Sequence, residues 1–265
     1  MEDNKADPFA EEINGFYHRQ EYAECIKRMD ERLKESTNPE ERAVALMAKS
    51  TCARYLKDFG LAETAAFAID MEPLSPETRD YANLVRADVL SATGQSKRAE
   101  SLFLSILGRE DAFTEQRRDV LCKAFAKLGF IYVTRNRYAA ALPLLEKASL
   151  LGADGFLRDD LDIDLAYCLQ ALGRLDEAKG CLKSILDREP AHITVDAYYR
   201  LGVIQLQAEE YEAAIDSLQH ALSHLPHGKI AESDILTALQ EAKEQQNMNP
   251  ADRPPTNRRS KPKVQ

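Results

Sequence analysis

Residues 195–226 read VDAYYRLGVIQLQAEEYEAAIDSLQHALSHLP, and the spacing of large and small side chains in this stretch decides the fold. From Val195 to Gln207 the larger apolar residues fall at helical period. The period breaks at Ala208-Glu209-Glu210, and a second helical period begins at Tyr211. The pattern predicts two short helices joined by a tight turn. Gly202, Ala214 and Ala221 are small where the helices must approach closely, whereas Tyr198, Leu201, Leu218 and Leu222 supply the volume between them. Pro226 then stops the second helix.

Working outward, the same spacing returns from Cys122, through Phe125, Leu128-Gly129, Tyr132, Tyr138, Ala141, Leu145 and Ala148, with Ala153 where the proline would stand. Asp159 to His192 aligns through Leu165-Ala166, Gly173, Leu175, Ala178, Leu182, Ile185 and Pro190. Asp80 to Phe113 fits through Ala87, Leu90, Gly94, Ala99, Phe103 and Ile106. Leu46 to Arg79 fits more loosely, through Ala53, Leu56, Gly60, Ala65 and Ile69. Self-similarity at this period means stacked helix pairs, each burying its apolar face on the next.

The order Leu-Gly, then Tyr, then small-x3-large with a terminal Pro resembles the tetratricopeptide repeat (TPR), although Gln205 stands where a tyrosine is usual. The resemblance implies an all-α α-solenoid, a right-handed superhelix of antiparallel helix pairs. The repeats are expected at 46–79, 80–113, 122–155, 159–192 and 195–228, an array within residues 40–228. Residues 1–39 form an acidic N-terminus followed by a degenerate repeat or cap, with Ile13, Tyr22, Ala23, Ile26, Met29 and Leu33 marking an amphipathic helix. Residues 229–247 are expected to be a capping helix, with Ile230, Ile235, Leu236, Leu239 and Ala242 on one stripe. The proline-rich stretch 248–265 holds almost no apolar residues and is expected to be a disordered basic tail.

Bulk composition agrees with this reading. The chain is 44% hydrophobic, has 11 glycines and 11 prolines among 265 residues, and lacks tryptophan. No apolar run approaches the ~18 residues a membrane span needs, so no membrane association is expected. Met1 to Ala10 carries three acidic residues and no hydrophobic segment, so a cytoplasmic or nuclear protein is expected. Five scattered cysteines, without a C-x-x-C pair, read as buried small hydrophobes in a reducing compartment. The net charge is −9, but residues 248–265 hold five basic residues against one acidic, which leaves −13 on the rest. So acidic a body disfavours binding to nucleic-acid phosphates, except through the tail.

In the TPR family a partner lies against the first helix of each pair, at its second, fifth, sixth and ninth positions. Carried onto this sequence, the candidate groove residues are Tyr81, Leu84, Asp88, Lys123, Lys127, Phe130, Ile163, Asp164, Tyr167, Tyr199, Arg200 and Val203, with Asp160 and Asp196 beside them. Phe130 and Tyr167 hold equivalent places one repeat apart, so both are expected to project into the groove as an exposed pair. A wall of apolar anchors and charges suits a peptide or helical segment of a partner protein. The family's two-carboxylate clamp for chaperone tails matches poorly. Registered on the last three repeats it falls on Ala126, Phe130, Asp164, Asp196 and Arg200, where only Arg200 agrees; registered from residue 46, two of five positions agree.

No Gly-rich phosphate loop, H-E-x-x-H or G-x-S-x-G occurs, so no catalysis and no cofactor are expected. His220, His224 and His227 cluster near the end of the last repeat, where imidazoles suit the negative end of a helix better than they build a metal site. The expected function is a non-enzymatic adaptor or scaffold that holds a partner segment in its groove to assemble a complex. The alternatives are a constitutive structural subunit of a larger complex, a nucleic-acid regulator acting through the basic tail, and a co-chaperone that binds chaperone tails.

Overall fold

A computed structural model describes residues 8–69, 73–109, 115–153, 155–188, 193–225 and 230–248. The described residues form thirteen α-helices and no strand. In chain order they are α1 (Pro8–His18), α2 (Tyr22–Glu35), α3 (Pro39–Tyr55), α4 (Phe59–Ala68), α5 (Pro76–Ala92), α6 (Ser96–Leu107), α7 (Glu115–Thr134), α8 (Tyr138–Leu150), α9 (Gly155–Ala171), α10 (Leu175–Leu186), α11 (Thr194–Gln207), α12 (Tyr211–Ser223) and α13 (Glu232–Asn247). Six antiparallel pairs and a final single helix result. Contacts divide the chain into two compact units, 1–125 and 126–265, with the boundary inside α7.

The turn inside each pair is the same structure six times. Gln20, Lys57, Gly94, Asn136, Gly173 and Glu209 each take a left-handed backbone, with φ between 57° and 78°. The next residue donates its N–H to the carbonyl five residues back, as in Asp58 to Ala53 (2.9 Å), Arg174 to Leu169 (2.9 Å) and Glu210 to Gln205 (2.8 Å). This Schellman arrangement satisfies carbonyls that a helix end otherwise leaves open. Only two of the six positions are glycine, so the local cost of the left-handed backbone is met at the others by the hydrogen bond and the packing beyond it.

First helices begin ahead of the expected repeats, at Pro39 in place of 46 and at Pro76 in place of 80. The cause is a cap followed by a proline. The Asn38 side chain accepts from the Glu40 N–H at 2.9 Å and Ser75 Oγ accepts from the Thr78 N–H at 3.2 Å. In each case proline fills the first helical position, where no N–H is needed.

In the first unit, Phe9 and Ile13 of α1 and Cys25 and Met29 of α2 share a core with Ala45, Ala48 and Cys52 of α3. The degenerate N-terminal segment is therefore a helix pair packed on the next one. Further along, Arg117 is 2% exposed and Asp80 3% exposed at the side chain, joined Nε to Oδ2 at 2.9 Å. Arg117 also donates to the Ile106 carbonyl at 3.2 Å and to that of Arg109, so it closes the C-terminal end of α6. Arg42 does the same for α2, donating to the carbonyls of Leu33 at 2.6 Å and Ser36 at 3.1 Å. A guanidinium on a first helix thus ties off the helix before it.

In the second unit the sequence-derived register is met at atomic level. A Cβ on Gly202 would lie 2.6 Å from Leu218 Cγ, and one on Gly129 would lie 2.5 Å from Leu145 Cδ2. Both glycines are therefore where helices touch. Ile235, Leu239 and Ala242 of α13 bury against Val195, Leu206, Ala214, Leu218 and Ala221, with Ile230 packed at the margin. Leu236, expected on the same stripe, is turned outward and is exposed. Pro190, His192, Pro226, His227 and the tail from 249 onward lie outside the described residues.

Candidate functional site

The candidate groove residues divide between the two units, and each group is described within its own. In the first unit Leu84 is buried in the core, while Tyr81, Asp88 and Lys123 are half-buried. The Tyr81 hydroxyl donates to Asp119 at 3.1 Å, and Lys123 reaches the same carboxylate at 2.6 Å. Burial, then the Asp119 charge, drives the Tyr81 phenol well above its ordinary pKa, so it stays a donor.

In the second unit, α7, α9, α11 and α13 carry the corresponding face. Phe130 is 51% exposed, but Tyr167 is only 5% exposed, so the expected exposed aromatic pair is corrected. Tyr138, the first residue of α8, packs edge-on against Tyr167 with ring centroids 5.6 Å apart. The guanidinium carbon of Arg200 lies 4.8 Å from the Tyr167 ring centroid. Two neighbours therefore close over a ring that helical spacing alone places outside. Burial, then the Tyr138 hydroxyl, pushes the Tyr167 phenol up to about 12. Cys168 behind it is pushed up to about 12, by burial and then by Asp164, which leaves it a poor nucleophile.

Ile163, Asp164, Tyr199, Arg200, Val203 and Lys127 are half-buried, whereas Asp160 is exposed and Asp196 buried. Gln170 Nε2 donates to Gln207 Oε1 at 3.0 Å, tying α9 to α11. Tyr199 packs on the same core as Ala238 of α13. Burial, then the nearby Asp234 carboxylate, raises the Tyr199 pKa; Glu241 adds to this and Arg200 opposes it. The face is thus a strip of partly covered apolar side chains bordered by carboxylates. It can hold a chain by packing and charge.

The histidines have a different use. The rings of His220 and His224 stack on Tyr198 at 5.1 and 5.5 Å. Among the described residues no group of His, Cys, Asp and Glu is arranged to hold a metal. None of the five cysteines is in a disulfide, and four of them are buried. No described helix is long and apolar enough to cross a membrane.

Helix pairs stacked through small residues, with a partly open face on the first helices, define an all-α solenoid of the kind that serves as a protein-interaction scaffold. Residues 159–226 match the family model described as Tetratricopeptide repeat. Solved structures with the same fold include YrrB, a TPR protein with an unusual peptide-binding site. It is 22% identical, with a TM-score of 0.56 over 80% of this chain and 97% of its own. A Podosopora anserina putative kinesin light chain with nearly identical TPR-like repeats is 17% identical, with a TM-score of 0.59 over 71% of this chain and 97% of its own. The C-terminal part of a TPR repeat-containing protein from Cytophaga hutchinsonii is 13% identical, with a TM-score of 0.55 over 81% and 78%. No curated protein sequence matches the chain. Residues 159–226 thus carry the tetratricopeptide-repeat sequence signature, and the described helix pairs share the fold of these TPR structures.

Proposed function

We propose that the protein is a non-enzymatic adaptor whose first-helix face in the second unit holds a peptide or helix of a partner protein and so assembles a complex. The observation that carries this reading is the strip formed by Ile163, Tyr199 and Val203 on consecutive first helices, apolar and only half-covered, with Phe130 exposed on α7. An isolated exposed apolar side chain is ordinary, whereas a row on successive elements marks a binding surface. YrrB, which shares the fold, is a TPR protein with a peptide-binding site, and this supports the same use here.

The test is affinity capture with mass spectrometry, comparing the full chain with the double variant Phe130→Ala, Val203→Ala after circular dichroism has shown equal helicity. Loss of a defined partner set in the variant is the expected result. An unchanged set refutes the reading.

A further inference from the structure

Two cysteines of the first unit face each other across successive helix pairs. The contacts of Leu33 with Arg42, Asp30 with Lys49 and Tyr22 with Tyr55 show that α2 and α3 run antiparallel. At one end of this contact the Tyr22 and Tyr55 rings stack with centroids 4.8 Å apart. One turn inward from both rings, the same register sets Cys25 opposite Cys52. A further turn inward it sets Met29 opposite Ala48. These four residues share one core with Ala45, whose small side chain lets the two backbones approach. Both sulfurs are 0% exposed. The Cys52 thiol is hydrogen-bonded to the Cys25 sulfur, and the Tyr17 hydroxyl at the end of α1 bonds to Cys52 as well. The bond from Cys52 holds the Cys25 thiol below its ordinary range, although burial and the Glu12 charge oppose this. The same bond, and then burial, keeps the proton on Cys52. Cys168 and Cys181, by contrast, are raised first by burial and then by nearby carboxylates.

We infer that Cys25 and Cys52 form a reversible disulfide site that fastens α2 to α3, closed by a low-molecular-mass disulfide and reopened by a thiol. The Cys25 thiolate attacks one sulfur of the oxidant, whose S–S bond breaks. A mixed disulfide forms, and the first small thiol leaves with a proton from the medium. Cys52 then gives up its proton and attacks the Cys25 sulfur, which releases the second small thiol. Two protein S–H bonds become one S–S bond, and the oxidant takes up both electrons and both protons. Because both sulfurs are covered, the first step waits on local opening of the α2–α3 contact. The closed bond ties together the residues that join α2 to α3, restricts the unfolded chain and so stabilises the first helix pairs. The site lies in the first unit and is independent of the peptide-binding face in the second.

The test incubates the reduced full chain with hydroxyethyl disulfide, with and without subdenaturing urea to speed the opening. Remaining thiols are then alkylated in denaturant and the peptides mapped by mass spectrometry without reduction. The expected product lacks two hydrogens relative to the reduced chain, yields one peptide pair linked through Cys25 and Cys52, and leaves Cys122, Cys168 and Cys181 alkylated. Its thermal midpoint should rise by about 5 °C or more and return on adding dithiothreitol. Cys25→Ala and Cys52→Ala should each abolish the shift. If either variant loses helicity, the peptide map of the unsubstituted chain decides without it. A lasting adduct of the oxidant on Cys25 or Cys52 overturns the inference, as does a link between any other two cysteines. Cys25 and Cys52 both recovered as alkylated thiols, even after incubation in urea, overturns it too.

Discussion

A single methyl group added at Gly202 should weaken the α11–α12 pair, whereas the same methyl at Gly180 should strengthen α10. An ideal Cβ on Gly202 lies 2.6 Å from Leu218 Cγ, 2.9 Å from its Cδ2 and 3.2 Å from the Ala214 carbonyl oxygen. The branch carbon of leucine and a backbone oxygen cannot both retreat cheaply. Overpacking of this kind costs about 1–3 kcal/mol. Against it stands the gain of about 1 kcal/mol when glycine in a helix interior becomes alanine. Gly180 is exposed in α10 with nothing within 4 Å of its Cβ position, so there the gain is unopposed. The difference between the two variants isolates the clash, about 1–3 kcal/mol in sign-reversed effects. Urea unfolding followed by circular dichroism at 222 nm reads it directly, because both substitutions are chemically identical. Gly202→Leu should be worse than Gly202→Ala, and Leu218→Ala should be less harmful in the Gly202→Ala background than alone. If Gly202→Ala stabilises the protein as Gly180→Ala does, the helices do not approach there and the register is wrong.

Four further outcomes follow from the geometry. Arg117→Ala leaves the buried Asp80 carboxylate without its close partner and uncaps α6, and should cost about 3–5 kcal/mol in urea unfolding. Lys57→Gly should raise stability by about 1 kcal/mol, because a side chain at φ 60° is released from the left-handed penalty, while Gly173→Ala at φ 78° should lose a similar amount. The Glu40 pKa is set by burial, which raises it, and by hydrogen bonds from Thr78 and Ser75, which overcome burial and lower it. A lowered folded pKa gives stability that is present above the ordinary glutamate range and lost as pH falls through the folded value. Glu40→Gln should therefore be less stable than wild type at neutral pH, with the gap closing below the ordinary glutamate range when unfolding is followed against pH. The raised Tyr167 pKa, about 12, predicts the opposite limb: stability lost as pH climbs from an ordinary tyrosine pKa toward 12, and lost less in Tyr167→Phe.

The helix pairs were legible in the sequence wherever a small residue faces a large one, as at Gly129 with Leu145 and Gly202 with Leu218, because only one packing accommodates that spacing. Helix starts were less so. The Asn38-Pro39 and Ser75-Pro76 caps lie upstream of the repeat signature and extend the first helices beyond it. The turns at Gln20, Lys57 and Glu209 escape a reading by residue type, since nothing in a glutamine, lysine or glutamate side chain asks for a left-handed backbone, as glycine or asparagine does. The face was legible as a set of positions but not as a surface. Helical spacing places Phe130 and Tyr167 alike, yet Tyr138 and Arg200 come from other helices to cover one of them. The Asp80–Arg117 pair is invisible for the same reason, because it joins residues of different helix pairs that no repeat template relates.

The six left-handed turns recur at intervals of 36–42 residues, and the longest interval falls between Gly94 and Asn136. The extra residues lie mainly in α7, which runs to 20 residues where α5 and α9 have 17 and α11 has 14, and they leave the turns on either side unaltered. Length is therefore absorbed in a helix between two turns and never in a turn itself. Over generations, such a chain can be edited like a string of cassettes: whole hairpins can be duplicated or dropped, and a helix between them lengthened, while each surviving fold-back keeps its own geometry.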